Sequence, residues 1–280
     1  MQLFPDPCFI CVNPWLNKML PDPNIDLTVR GLNWPLARLC AELSAQAYSV
    51  VPDVRDGDTD TSVLIREYPE FVIVAVKGTN SLKDFVLDAE AWMAPIYFGN
   101  GKEGLVHQGF RDAFKGVVMN VDVAIARIGK PVVFTGHSLG GAIAKLLSWY
   151  HLRVGGQLHS LYTFGQPRVG DKRFAQHCEE LFGNRHFRFV DEMDVVTRLP
   201  GLLLGFRHSG YCEFLEGDEV IEDPVLLTRL FLDAIKIWTL RKSGPIRFAL
   251  GVTQLIEDHK MEKYIRKLGV VGTRTPENNS

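Results

Sequence analysis

The period of the apolar positions changes several times along the chain, and each change marks an element. From Trp34 to Tyr48 the apolar residues Leu36, Leu39, Cys40, Leu43, Ala47 and Tyr48 recur at helical spacing. Asn33, ahead of Trp34 and Pro35, fits an N-cap with proline in the first turn. Residues 52–61 (PDVRDGDTDT) are a turn-rich break, and Ser62 to Tyr68 alternates weakly. Phe71 to Val76 (FVIVAV) is an unbroken β-branched and aromatic run, as a strand covered on both faces requires. Gly109 to Ile128 has a helical pattern. Pro131 to Thr135 reads as a short buried strand running into Gly136, and Ala142 to Leu152 as a helix of small and apolar residues. Leu158 to Phe164 and His186 to Val190 predict two more strands, with a helix from Asp171 to Leu181 between them. Strands alternating with helices predict an α/β fold with a mainly parallel central sheet flanked by helices. Residues 1–30 are rich in Pro, Asn and Asp around Trp15, Leu16, Met19 and Leu20, and predict an irregular arm packed on one domain spanning 31–280.

Composition narrows the function classes. At 280 residues with 46% hydrophobic and 23% charged, the chain has the make-up of an ordinary globular domain, which excludes a disordered class. Lys plus Arg (31) nearly balances Asp plus Glu (33), so no charge excess argues for nucleic acid. The apolar stretch Val225 to Val252 carries Arg229, Asp233, Lys236, Arg241, Lys242 and Arg247, which excludes a membrane span there. Met1 to Ile10 has no basic residue, and Pro5, Pro7 and Pro14 interrupt the apolar stretch, unlike a secretory signal. A cytoplasmic location is the default expectation, with export by another route as the alternative. The five cysteines are scattered. Cys8 and Cys11 match CxxC, but without a second pair they are read as small apolar thiols, not a metal or redox site.

The informative segment is Thr135 to Gly141 (TGHSLGG), containing Gly136-x-Ser138-x-Gly140 between a predicted strand and a predicted helix. Such a turn strains the serine backbone and leaves no room for side chains at the flanking glycines. It presents a hydroxyl at the strand end, with unpaired N–H groups of the helix N-terminus behind it, the N–H of Leu139 first, to stabilise an oxyanion. A serine nucleophile needs a base, and the base an orienting acid, following in the order Ser, acid, His. His137 lies within the turn itself, and His151, His159, His177 and His186 fall at positions facing away from the carboxyl ends of the strands. His208 and His259 remain as bases. Asp191, Glu192 and Asp194, just after a strand, all compete as the acid.

The chain resembles the class 3 (fungal-type) triacylglycerol lipase family of the α/β-hydrolase superfamily. TGHSLGGA at Thr135 to Ala142 is similar to that family's nucleophile turn. Val76 to Thr79 resembles its FRGT/S strand end, Val106 to Phe110 its VHxGF segment, and Thr163 to Gly170 its TFGxPRVG loop. Asp194 to Pro200 resembles its DxVPRLP segment and Asp258 to Tyr264 its DHxxY ending. The blocks run in order over about residues 35–268, leaving 1–30 and about 215–250 uncovered. On matching positions the resemblance implies an α/β-hydrolase fold with Ser138 as nucleophile, Asp194 as acid and His259 as base. It implies Thr79 as an oxyanion donor beside Leu139, Asp88 as the support of the Thr79 hydroxyl, and a structural role for His208. Lys77 stands for the family's usual Arg, with little effect expected, and Thr197 for its usual Pro, which is expected to loosen the loop after Asp194.

The resemblance also implies a lid at about residues 80–100, where Phe85, Val86, Trp92, Met93, Ile96, Tyr97 and Phe98 crowd together. Phe85, Val86, Trp92, Met93 and, in the stretch Pro200 to Phe206, Leu203 are candidates for lid or acyl-chain contact; a helix and loop packed permanently on the core is the alternative. The expected activity is hydrolysis of acylglycerol esters through an acyl-enzyme, without metal or cofactor and with transient contact to a lipid interface. A phospholipase or short-chain esterase would use the same residues. A non-catalytic lipid-binding protein or an amide hydrolase would not need the full set with a lid.

Overall fold

Asn33 opens the first helix by accepting a hydrogen bond from the Leu36 N–H at 3.1 Å, with Pro35 in the first turn, and α1 runs Trp34–Gln46. The structure is a computed structural model and describes residues 25–78, 92–191, 194–216, 219–222 and 259–271. After α1 come β1 (Val54–Asp56), β2 (Thr61–Glu67), β3 (Val72–Val76), β4 (Met93–Phe98) and β5 (Gly101–His107). They are followed by α2 (Gln108–Ile128), β6 (Val132–His137), α3 (Leu139–Arg153), β7 (Leu158–Phe164), β8 (Gly170–Asp171) and α4 (Lys172–Phe182). The remainder is β9 (His186–Asp191), β10 (Phe206–Arg207), β11 (Tyr211–Glu216), β12 (Glu219–Glu222) and α5 (Met261–Val271).

The central sheet has the order β1-β2-β3-β6-β7-β9-β11-β12. Its middle, β3-β6-β7-β9-β11, is parallel, while β1, β2 and β12 add antiparallel edges. The all-apolar run of β3 is buried at every position, because helices cover both faces. On one face Val74, Phe134 and Leu161 pack with α2, α3 and α4; on the other Ile73, Val133, Tyr162 and Phe189 pack with α1 and α5. This is the α/β-hydrolase architecture expected from the sequence. The weak alternation of Ser62 to Tyr68 reflects the same sandwiching, since the first five residues of β2 are all buried.

A second sheet, β10-β8-β5-β4, changes the picture of the expected lid. Its far end, Met93 to Phe98, is a strand paired antiparallel with Gly101 to His107. Those residues are held by a backbone ladder, so the lid expectation is narrowed to the segment before residue 93. Phe85, Val86 and Asp88 lie outside the described residues, as do Thr79, Cys8, Cys11 and residues 1–24 of the expected arm. Ile25 and Leu27, at the end of that arm, and Leu32 just after it pack partly buried against the α1 side of the core. No helix among the described residues is long and apolar enough to cross a membrane.

Candidate active site

Strand β6 ends at His137 and helix α3 starts at Leu139, so Ser138 alone makes the turn between them. Its backbone is at φ 59°, ψ −130°, a left-handed value rare for a residue with a Cβ. The neighbours show why glycine flanks it. A Cβ at Gly136 would meet the Gly140 carbonyl at 2.5 Å, and one at Gly140 would overlap the carbonyl oxygen of Val76 on β3. Helix and sheet therefore approach backbone to backbone. The Ser138 N–H donates to the Phe164 carbonyl at the end of β7 (2.9 Å), which fixes the turn over the carboxyl edge of the sheet. Leu139 is the first residue of α3, so its N–H has no preceding intrahelical carbonyl to bond.

Asp194 and His259 meet in the same place from distant parts of the chain. Nδ1 of His259 lies 2.6 Å from Oδ2 of Asp194. Facing a carboxylate, Nδ1 carries the proton and donates, which leaves Nε2 with its lone pair. That Nε2 is buried and has no hydrogen-bond partner among the described residues. Asp194 is fully buried, and its other contacts hold the carboxylate: the Val196 N–H donates to Oδ1 at 2.9 Å and the Tyr264 hydroxyl to Oδ2 at 2.6 Å. Burial, and then the charge of Asp194, push the Tyr264 phenol well above its ordinary range, so it stays a donor. Gly165, at φ +60°, leaves the gap in which the pair sits. A Cβ there would lie 2.7 Å from Cε1 of His259 and 2.8 Å from Oδ2 of Asp194.

The other acid candidates separate by position. Asp191 pairs with Lys267 Nζ at 2.9 Å, and its N–H donates to the Tyr264 hydroxyl, so it faces α5. Glu192 lies outside the described residues. His208 does not face Asp194; its Nε2 donates to the Thr197 carbonyl at 2.6 Å. Thr197 corrects an expectation. In place of the family's usual Pro it was expected to loosen the loop, yet its hydroxyl donates to the Asp194 carbonyl at 2.8 Å while its own carbonyl is held by His208. The loop is tied at two points. Lys77 reaches Asp60 only at 3.6 Å, on the surface.

Two residues that the sequence reading assigned no part in this site complete its surroundings. His137 stacks against His259, ring centroids 4.5 Å apart, with Nε2 2.7 Å from the His259 carbonyl. Its Nδ1 is 3.0 Å from the Tyr48 hydroxyl. A carbonyl only accepts, so Nε2 donates, and the Tyr48 hydroxyl must donate to Nδ1. Burial, and then the charge of His259, hold His137 well below its ordinary pKa, and burial likewise raises that of Tyr48; both stay neutral. Tyr48 was legible only as one apolar position of a helix, and His137 only as part of the turn.

Ser138 is 2% exposed and His259 1%, so both are covered in this structure. Two large apolar side chains remain in solvent: Trp92 is 69% exposed and Leu203 fully so, while Met93 is half-buried on β4. A Cβ on Gly205 would lie 3.5 Å from the Met93 methyl, which brings the segment 92–93 next to the loop 202–205.

Residues 73–204 match the family model "Lipase (class 3)". The chain is 33% identical over 162 residues to a secreted mono- and diacylglycerol lipase of Fusarium solani, covering 54% of this chain and 46% of that protein. It is 34% identical over 163 residues to a lipase of Rhizomucor miehei, covering 55% and 44%. The chain thus spans a little under half the length of these curated relatives. The solved structure of Rhizomucor miehei triacylglyceride lipase superposes with a TM-score of 0.56 at 27% identity, covering 64% of this chain and 79% of that one. The expectation of a cytoplasmic location is corrected by the Fusarium relative, whose name describes it as secreted. The lack of a basic, unbroken apolar start, on which that expectation rested, does not decide location.

Proposed function

We propose that the chain is a member of the class 3 lipase family of the α/β-hydrolase superfamily, whose model its residues 73–204 match, and that it is a carboxylic ester hydrolase acting on acylglycerols. One observation carries the reading. A serine at positive φ stands at a strand-to-helix turn, next in the chain to His137, whose ring stacks on a buried His–Asp pair with Nε2 unbonded among the described residues. A hydroxyl, a base and an oriented acid on the carboxyl edge of a parallel sheet suit acyl transfer.

In the proposed reaction Ser138 attacks the ester carbonyl while Nε2 of His259 takes its proton. Asp194 holds the Nδ1–H tautomer and stabilises the imidazolium. The Leu139 N–H, with Thr79 as its partner, receives the oxyanion; losing one such donor costs about 3–4 kcal/mol of barrier. His259 then protonates the leaving alcohol, and water, activated by the same nitrogen, releases the acid. Asp88 supports the Thr79 hydroxyl in this reading. No step calls for a metal or an organic cofactor.

Because Ser138 and His259 are covered, substrate reaches them only when the cover moves. We assign that movement to the segment before β4, with Phe85, Val86 and Trp92 as its apolar contacts and Met93, at the start of β4, and Leu203 as the contacts it leaves. Exposed Trp92 and Leu203 favour a transient seat on a lipid interface, since burying each there is worth about 2 kcal/mol or more. Like its Fusarium relative, the enzyme would act outside the cell.

A panel of p-nitrophenyl esters and emulsified mono-, di- and triacylglycerols, run with the wild type and Ser138→Ala, tests this reading. Turnover of the emulsions by the wild type alone is expected. Turnover of soluble short esters but no emulsion moves the assignment to an esterase, and no turnover above the mutant rejects the enzyme.

A further inference from the structure

On the side of the sheet facing α3, three cationic side chains converge inside the protein. Lys145 on α3 is 1% exposed, Arg168 in the loop after β7 is 2% exposed, and Arg188 on β9 is 7% exposed. Their partners are few. Lys145 donates to the Ser209 hydroxyl at 2.5 Å and lies 5.9 Å from the centre of the Phe174 ring. Arg168 donates through one nitrogen to the carbonyls of Arg198 and Pro200, while its Nε is buried with no partner. The Nε of Arg188 is likewise buried and unbonded among the described residues. No Asp or Glu among the described residues makes an ion pair with any of the three.

Two histidines close the group without supplying a negative charge. His186 shares a face of β9 with Arg188, two residues on, and neither of its ring nitrogens has a partner. Opposite Arg188, on β7, stands Thr163, whose hydroxyl is also buried and unbonded. His208 spends one nitrogen on the Thr197 carbonyl and leaves Nδ1 buried and unbonded. The groups act on one another. Burial first, and then the charges of Lys145 and Arg188, keep His186 well below its ordinary range; His208 is held down by burial, Arg188 and Arg168. Arg168 falls to about 10 through burial and then the charges of Arg188, Arg207 and Arg198, still cationic at neutral pH. Burial first, and then the charge of Arg188, also lower Lys145; the opposing influences on it are the Cys178 thiol, itself held neutral by burial, and Glu179 on the exposed side of α4.

Lys and Arg only donate, and a buried charge left unpaired is strongly unfavourable. Water would satisfy the hydrogen bonds but not the charge. We propose that this cage binds a small inorganic anion of chloride size, held by Lys145, Arg168 and Arg188. Lys145, Arg168, Arg188 and His186 are each more than nine-tenths buried, so a monatomic ion, not an organic carboxylate, is the occupant proposed. The site would do structural work for the loop that carries Asp194. Arg168 holds the carbonyls of Arg198 and Pro200, and His208 holds that of Thr197, so an anion that fixes Arg168 fixes the loop 196–200. This inference does not depend on the ester-hydrolase reading.

The test is thermal unfolding of the full chain, freed of halide and titrated with sodium chloride, sodium bromide or sodium gluconate at constant ionic strength. Chloride and bromide are expected to raise Tm saturably by about 5 °C, and gluconate to have no effect. Lys145→Met, which keeps the volume and removes the charge, is expected to lose the halide response. Because that variant can also fail to fold, crystals of the wild type grown in bromide give an independent reading. An anomalous peak within hydrogen-bond distance of Lys145 and Arg188 is expected. Equal Tm in halide and gluconate, or a cage holding only water while bromide sits at surface positions, overturns the proposal.

Discussion

The imidazoles of His137 and His259 lie 4.5 Å apart with a 30° tilt, and Nε2 of His137 donates to the backbone carbonyl of His259 at 2.7 Å. Through Tyr48, whose hydroxyl bonds both His137 and the backbone of Gly78, the relationship runs from the end of β3 to the residue proposed as base. His137 is thus a positioning residue that fixes where the second ring stands. His137→Phe keeps an aromatic face and removes both hydrogen bonds. It is expected to lower kcat about 10- to 100-fold with little change in KM on a soluble p-nitrophenyl ester. His137→Gln, which restores a donor, is expected to recover part of the loss.

The buried neutral state of His137 also sets a pH dependence. Its folded pKa lies well below the unfolded value of about 6.5, so the unfolded chain binds a proton that the folded chain refuses. Stability from this group is complete above pH 6.5 and falls as the pH drops below it. Denaturant unfolding between pH 7 and 5 is expected to show the wild type losing about 1.4 kcal/mol per pH unit more than His137→Gln below that point. Parallel curves would reject a neutral buried His137.

The two neighbouring aspartates are expected to fail in different ways. Asp194→Asn leaves the His259 ring in place but offers it the wrong hydrogen-bonding group, and kcat is expected to fall about 10,000-fold. Asp191→Asn breaks a buried pair with Lys267 and is expected to cost about 3 kcal/mol of stability while the purified fold retains most of its kcat. Unfolding curves and ester kinetics on both variants separate the two roles.

Gly165 is the point where the backbone yields to the His–Asp pair. A methyl group there is strained by φ +60° and meets both Cε1 of His259 and Oδ2 of Asp194 below 3 Å. Gly165→Ala is expected to cut kcat by about 100-fold or more, because a shift near 1 Å between base and acid is enough for that loss. A variant with wild-type kcat would mean that the pair is free to move.

Much of this was legible in the chain, and the reasons are local. The buried runs of β3, β6 and β7 and the glycines around Ser138 carry their structural role in residue type alone. Position alone left Asp191, Glu192 and Asp194 open, since all lie at or just after the end of β9; what distinguishes Asp191 from Asp194 is contact with Lys267 or with His259, each more than 60 residues away in sequence. Strand β4 was hidden because Met93 to Phe98 is as apolar as a lid, and its partner β5, with Gly101 and Gly104, has no alternating pattern. His137 was set aside for standing next to Ser138, although adjacent residues at a strand end point in opposite directions and reach different neighbours. Thr197 shows the opposite limit: a lost proline reads as a loosened loop until its hydroxyl is seen on the Asp194 carbonyl.

The central claim is that Ser138 is a nucleophile activated by His259. Its most direct measurement is intact-mass and peptide mapping after treatment with an alkyl fluorophosphonate, which phosphonylates activated serines. One adduct per chain is predicted, on Ser138, formed with loss of ester hydrolysis, absent in Ser138→Ala and slowed severely in His259→Ala. An unlabelled wild type, or an adduct on another residue that abolishes activity, would contradict the account.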